Sequence, residues 1–171
     1  MNIERFTRSL DELNTDLIVA SLFETERPPR GVCGLADWRL NGFISRQILG
    51  GSVRGTKDEW VLLPLHRRLP ARRLLLAGLG RREDFSIMQA RHVAYKLAKL
   101  LKGLDATDVA LSFPPAFDEN APGDTERAMT DVLKQFQLRN DLLVRWIPPP
   151  TEEPLPLVNP PDMGSPHAMP K

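Results

Sequence analysis

Apolar residues along this chain form short unbroken runs, separated by stretches in which they recur at helical spacing. Leu17-Ile18-Val19-Ala20 follows the turn-forming Asn14-Thr15-Asp16, and Ile3 to Ser9 alternates enough for an edge strand. A continuous apolar run fits a strand covered on both faces. From Leu35 to Leu49 the apolar positions Leu35, Trp38, Ile44 and Ile48 predict one helix, ended by Gly50-Gly51. Trp60 to Leu63 predicts a strand closed by Pro64, and Arg72 to Ala77 predicts the most apolar strand before Gly78-Leu79-Gly80. Ser86 and Gln89 stand in capping-box positions, opening a helix whose apolar stripe is Ile87, Ala90, Ala94, Leu97, Ala98 and Leu101. Gly103 is expected to stop it. A strand over Asp108–Phe113, a helix over Asp124–Leu138 and a strand over Leu142–Ile147 complete the series.

Strands alternating with helices imply a mixed, mostly parallel sheet with helices on both faces. The expectation is a three-layer α/β/α sandwich over residues 1–147. From Pro148 onward 9 of 24 residues are proline, which predicts an extended or disordered tail over 148–171.

Composition narrows the class. The 171 residues are 42% hydrophobic and 26% charged, ordinary for a globular domain. No apolar run approaches the ~20 residues that span a bilayer, and the charged start MNIERFTRSLDEL lacks the apolar centre of a signal peptide. The single cysteine, Cys33, excludes an internal disulfide; a cytoplasmic location is the expectation. The net charge of +1 hides an asymmetry, since residues 65–102 carry 10 basic and 2 acidic side chains while 103–171 carry 5 and 11. Such a block can hold a local anion-attracting field.

Candidate chemistry is sparse. Gly78, Gly80, Arg81 and Arg82 follow a strand, where backbone amides and guanidiniums can meet an anion, but Glu83 stands where a dinucleotide fingerprint needs a third glycine. The favoured reading of these residues is a tight strand-to-helix turn with a solvated basic loop. The basic block from Arg67 to Lys102 fits structural or solubilising charge, which acidic partners elsewhere in the chain could neutralise, better than nucleic-acid binding, because aromatic residues make up only 6%. His66, His92 and His167 have no carboxylate or thiol at ligand spacing, so neither a metal nor another cofactor is expected. Cys33 has no activating base nearby in sequence and reads as a packed side chain. Trp38, Trp60 and Trp146 read as core or interface residues.

The succession DLIVASLF, LADWRLNGFISRQILGG, KDEWVLLPL, ARRLLLAGLG and QARHVAYKLAKLL resembles the N-terminal domain of the leucyl (cytosol) aminopeptidases, from about Asp16 to Ile147. Asp37 and Gly42 stand where the family pattern has an aspartate and a glycine. The resemblance implies a macro-domain-like fold. It also implies no catalysis, because the family's two metals and catalytic lysine and arginine belong to a separate C-terminal domain, and no stretch here is similar to its NTDAEGR segment. A di-metal hydrolase needs clustered carboxylates, and none is apparent.

Similarity to macro domains makes Asp16 a candidate for the aspartate that ADP-ribose-binding members place at the start of the second strand. The loop PPAFDENAPG argues against pyrophosphate binding in that manner: prolines offer no N–H, and carboxylates repel phosphate. The leading expectation is a non-catalytic binding or assembly module, acting through a protein partner, a separately encoded catalytic subunit or self-association. The alternatives are a binder of an anionic, nucleotide or ADP-ribose-like ligand at Gly78–Arg82, and a residual peptidase or macro-type hydrolase.

Overall fold

The computed structural model describes residues 1–149 except His66. The tail beyond Pro149, with His167, and the His66 position therefore lie outside the described residues. Among the described residues six strands and four α-helices follow one another as β1 (Asn2–Arg5), β2 (Thr15–Leu22), α1 (Gly31–Arg39), α2 (Phe43–Leu49), β3 (Trp60–Pro64), β4 (Ala71–Gly78), α3 (Ile87–Leu104), β5 (Asp108–Ser112), α4 (Asp124–Gln135) and β6 (Leu143–Trp146). The sheet order is β1-β6-β5-β2-β4-β3. Every pairing is parallel except that of β3 with β4.

The strand β2 shows why the sheet is covered on both faces. Leu17 and Val19 enter a core with Ala94 and Leu97 of α3 and Met129 and Leu133 of α4. Ile18, Ala20 and Leu22 enter a second core with Val32, Cys33 and Ala36 of α1 and Ile44 and Ile48 of α2. Period-two alternation thus feeds two apolar layers, and the unbroken run in the sequence is its signature.

Charged side chains tie the N-terminal ends of the strands together. The Asp108 carboxylate accepts from Thr15 Oγ1 at 2.8 Å and from Arg145 at 2.6 Å, and Arg145 also reaches Glu4 at 2.7 Å. That network joins β1, β2, β5 and β6. One strand further along, Arg73 of β4 donates to Asp16 of β2 at 2.7 Å.

Several helix boundaries differ from the sequence expectation; α4, for one, ends at Gln135 rather than Leu138. The helix expected over 35–49 is two helices, because Asn41 and Gly42 take left-handed conformations with φ of 55° and 72°. Asp37 holds the break: its buried carboxylate accepts from the Ser45 backbone N–H at 2.9 Å and from the Ser45 hydroxyl, capping α2. Gly103 does not stop α3, which runs one residue further to Leu104; Asp105, at φ 48°, closes it instead. The N-terminus of α3 matches the capping expectation, with Ser86 accepting from the Gln89 N–H at 3.2 Å.

Candidate functional site

Strands β2 and β5 are neighbours, yet the segments that follow them leave to opposite faces. The chain after β2 turns to α1 in one layer, and the chain after β5 turns to α4 in the other. Divergence of this kind opens a crevice at the carboxyl ends of the strands, where ligands of open α/β sheets bind. A cavity of about 560 Å³ lies there. Its lining includes Phe23 and Arg27 after β2, Arg30 to Cys33 at the start of α1, Arg82, and Phe113 to Pro115 after β5. A second hollow of about 490 Å³ shares Phe113, Pro114, Pro115 and Pro149 with it.

Three guanidiniums give this cleft its charge. Arg27 donates to the backbone carbonyls of Glu26 and Arg54, at 2.9 and 3.1 Å, so its position is fixed while its charge stays unneutralised. Arg82 lies over the Phe23 ring, 5.3 Å from its centroid. None of Arg27, Arg30 and Arg82 forms an ion pair among the described residues. Glu26 is the acid in the lining; it accepts from the Arg30 N–H at 2.7 Å and the Phe23 N–H at 3.4 Å, holding the loop. Arg30 caps α1 with no side-chain acceptor, so the helix presents backbone donors and the positive end of its dipole. Cys33 is buried beside them, and burial first, then Glu26 and Asp37, pushes its thiol up to about 12. A neutral thiol is no nucleophile.

The five residues singled out from sequence do not meet at one place. Arg82 lines the cleft. Asp16 sits at the opposite, N-terminal end of β2, bonded to Arg73. Gly78 is pressed against the loop after α2: a Cβ there would stand 2.1 Å from the Thr56 carbonyl oxygen. The N–H groups of Gly78, Leu79 and Gly80 donate to the carbonyls of Glu59, Leu22 and Gly55 at 2.8–3.0 Å. No amide of that turn remains for a phosphate. Arg81 pairs with Glu83, whose carboxyl is held below its ordinary range by its own backbone N–H and then by Arg81.

Asp118 and Glu119 accept from the N–H groups of Ile87 and Thr125, at 2.7 and 2.8 Å, at the starts of α3 and α4. Of the ten side chains of the basic block, Arg73 and Arg81 form ion pairs and the other eight form none among the described residues. Sequence reading passed over Arg27 and Arg30, because Arg27-Pro28-Pro29-Arg30-Gly31 reads as a structural break. Its signal was position, between the end of a parallel strand and the start of a helix.

Comparison with solved structures places this fold. A macrodomain of Trypanosoma brucei in complex with ADP superposes with a TM-score of 0.65 at 16% identity, covering 86% of this chain and 63% of that one. The macrodomain of Mycobacterium tuberculosis DarG gives 0.63 at 13% identity, covering 87% and 98%. A tomato leucine aminopeptidase mutant gives 0.62 at 16% identity, covering 86% of this chain and 32% of that one. The class is therefore a macrodomain-like α/β domain.

Residues 22–135 match the model of the cytosol aminopeptidase family, N-terminal domain, and the chain belongs to that family. A probable cytosol aminopeptidase of Thermosynechococcus vestitus is 28% identical over 120 residues, which are 67% of this chain and 23% of that protein. Its counterpart in a Cyanothece species is 24% identical over 131 residues, 77% of this chain and 26% of that protein. The chain thus spans about a quarter of the length of these relatives. Among the described residues no group of three or more His, Cys, Asp or Glu could hold a metal, and no helix is long and apolar enough to cross a membrane.

Proposed function

We propose that this domain is a non-catalytic binding module whose ligand is a small anion with an aromatic or apolar part, held in the cleft between β2 and β5. The observation that carries the reading is the convergence of Arg27, Arg30 and Arg82 with the donor end of α1 on one cavity of about 560 Å³. That volume lies in the range of small-molecule pockets. Phe23 and Phe113 supply an apolar wall, and guanidiniums pair bidentately with phosphate or carboxylate. The T. brucei neighbour was solved with ADP, which makes ADP the first probe. Pro114 and Pro115 bring no N–H to the cleft, so attraction rests on the arginines and weakens with salt.

Thermal-shift measurements with ADP, ADP-ribose and inorganic phosphate test the reading. A ligand at about a hundred times its Kd stabilises the folded state by about 2.7 kcal/mol, a rise of about 5–10 °C for a domain of this size. The double variant Arg30→Ala, Arg82→Ala is expected to remove that rise. No shift with any of the three at saturation would sink the proposal.

A second reading, action through protein contacts, is favoured by the layer formed by α1 and α2. Trp38 and Leu49 are 70% and 84% exposed there, with Leu35 and Phe43 also uncovered. Large apolar side chains left in water mark contact surfaces when they cluster. Light scattering behind size exclusion is expected to show an oligomer that Trp38→Ser, Leu49→Ser converts to monomer. A monomeric parent chain, with no binding to a cytosol aminopeptidase catalytic domain supplied separately, overturns this reading.

A further inference from the structure

On the sheet face opposite α1 and α2, α3 and α4 leave an open groove of about 660 Å³, bounded also by Lys57 from the loop before β3. Its floor is apolar. Met88 is 75% exposed, and Tyr95 meets Phe136 edge-to-face with centroids 5.3 Å apart. Val132 and Phe136 pack partly on the core beneath, so this floor is held from below.

The rim is basic. Lys57 and Arg91 line the groove, and Lys99 stands over the Tyr95 ring with its nitrogen 4.4 Å from the centroid. The α3 sequence Ile87–Leu104 contains Arg91, His92, Lys96, Lys99 and Lys102 and no acidic residue. His92 bonds Asp58 at 2.9 Å, while Lys57, Arg91, Lys96 and Lys99 form no ion pair among the described residues.

We propose that this groove docks an acidic amphipathic helix of a partner protein. Its apolar residues would cover Met88, Tyr95 and Phe136, and its carboxylates would meet Lys57, Arg91 and Lys99. The charge pattern selects the sign of the partner, and the apolar floor selects its class. Nucleic acid would need open aromatic faces or a purely polar track, but one face of Tyr95 carries Lys99 and its contact with Phe136 closes another side. An amphipathic helix lays apolar residues at i, i+3, i+4 and i+7 into such a groove. The proposal stands apart from the cleft, since none of the groove residues lines it.

The test uses the full chain, a fluorescein-labelled peptide as long as α3 (18 residues) with Leu and Phe on one face flanked by glutamates, a scrambled peptide of the same composition, and a DNA duplex. Anisotropy is expected to show saturable binding of the amphipathic peptide. Met88→Ser with Tyr95→Ser, and Arg91→Glu with Lys99→Glu, are each expected to weaken it by about tenfold or more. Phe117→Ser, 67% exposed in the loop after β5 and outside the groove, is expected to leave it unchanged. Amide shift changes in NMR spectra of the parent protein are expected to map to residues 88–95 and 132–136, which supports the site independently of variant folding. Equal binding of the scrambled peptide, tighter binding of the DNA, or no shift change at those residues overturns the proposal.

Discussion

Gly78→Ala separates two meanings of the same glycine. If Gly78 lies bare so that a phosphate can approach, an added methyl disturbs ligand binding and little else. The structure assigns it to packing: the new Cβ would stand 2.1 Å from the Thr56 carbonyl oxygen and 2.9 Å from both Glu59 Cβ and the Gly55 carbonyl carbon. Two of these neighbours are backbone, so no side-chain rotation relieves the contact. The 55–59 loop must move by about 1 Å or more to reach ordinary van der Waals separation. That movement strains the bonds Gly78 N–H to Glu59 O at 2.8 Å and Gly80 N–H to Gly55 O at 2.9 Å. Overpacking costs about 1–3 kcal/mol and a lost buried hydrogen bond about 1 kcal/mol more. The expected destabilisation is about 3 kcal/mol, or a melting point lower by about 10 °C. Urea unfolding of parent and variant measures it. Gly103→Ala is the matched control, because a Cβ there meets nothing within 4 Å inside a helix; it is expected to stabilise by about 0.5–1 kcal/mol. A Gly78→Ala variant within about 0.5 kcal/mol of the parent would falsify the packing argument and return the turn to candidacy as a ligand cradle.

Other perturbations probe separate parts of the same argument. Asp37→Ala leaves the Ser45 N–H at the start of α2 without its acceptor and is expected to cost about 2–3 kcal/mol in urea unfolding; a loss below about 0.5 kcal/mol would show that α2 does not depend on that cap. Asp16→Ala is expected to lower stability modestly and leave ADP affinity unchanged, as Asp16 pairs with Arg73 at the strand end remote from the cleft; a tenfold weaker Kd by calorimetry, about 1.4 kcal/mol, contradicts that placement. Cys33, with its thiol raised from an ordinary 9.0 to about 12, is expected to resist a thiol reagent at about pH 8 until urea unfolds the chain. Because the folded thiol keeps its proton where the unfolded one loses it, stability should fall as pH rises from about 9 towards 12. Cys33→Ala is expected to flatten that slope, and identical slopes in the two proteins would refute the assignment.

The sheet was legible because burial on both faces writes itself into strands as unbroken apolar runs, as in Leu17–Ala20 and Leu74–Ala77. The first helical region was misread for a related reason. Periodicity arguments weight large apolar residues, yet α1 buries its small ones, Val32, Cys33 and Ala36, and turns Leu35 and Trp38 outward. Gly103 misled because glycine is favoured just past a helix end, whereas Asp105 in the left-handed region provides the stop. The Gly78-Leu79-Gly80 turn kept a phosphate loop open as the lesser alternative to a tight turn because sequence cannot show where its amide protons go. Arg27 and Arg30 escaped notice because their charge lies within a proline-rich break. Only the opposite departures of the chain after β2 and β5 bring them to a cavity with Arg82.

Those departures also bear on what the cleft would select. A glycine-rich loop holds pyrophosphate by a fixed array of amide donors, and its selectivity comes from that geometry. Here the amides of 78–80 are taken by carbonyls and the loop after β5 opens with two prolines. On the cleft reading the open start of α1 is joined as donor by guanidiniums, which carry full charge on longer arms and reach carboxylate as readily as phosphate. Arg27 is pinned by two carbonyls while Arg82 rests on Phe23, so one charge is fixed and another can follow the ligand. On the cleft reading, selectivity should follow charge and aromatic fit more than pyrophosphate shape. ADP is then expected to bind within about threefold, or about 0.6 kcal/mol, of an aromatic dicarboxylate of similar size, and both should weaken together as salt is raised. A hundredfold preference for ADP that persists at high salt would mean that backbone donors hold the pyrophosphate after all.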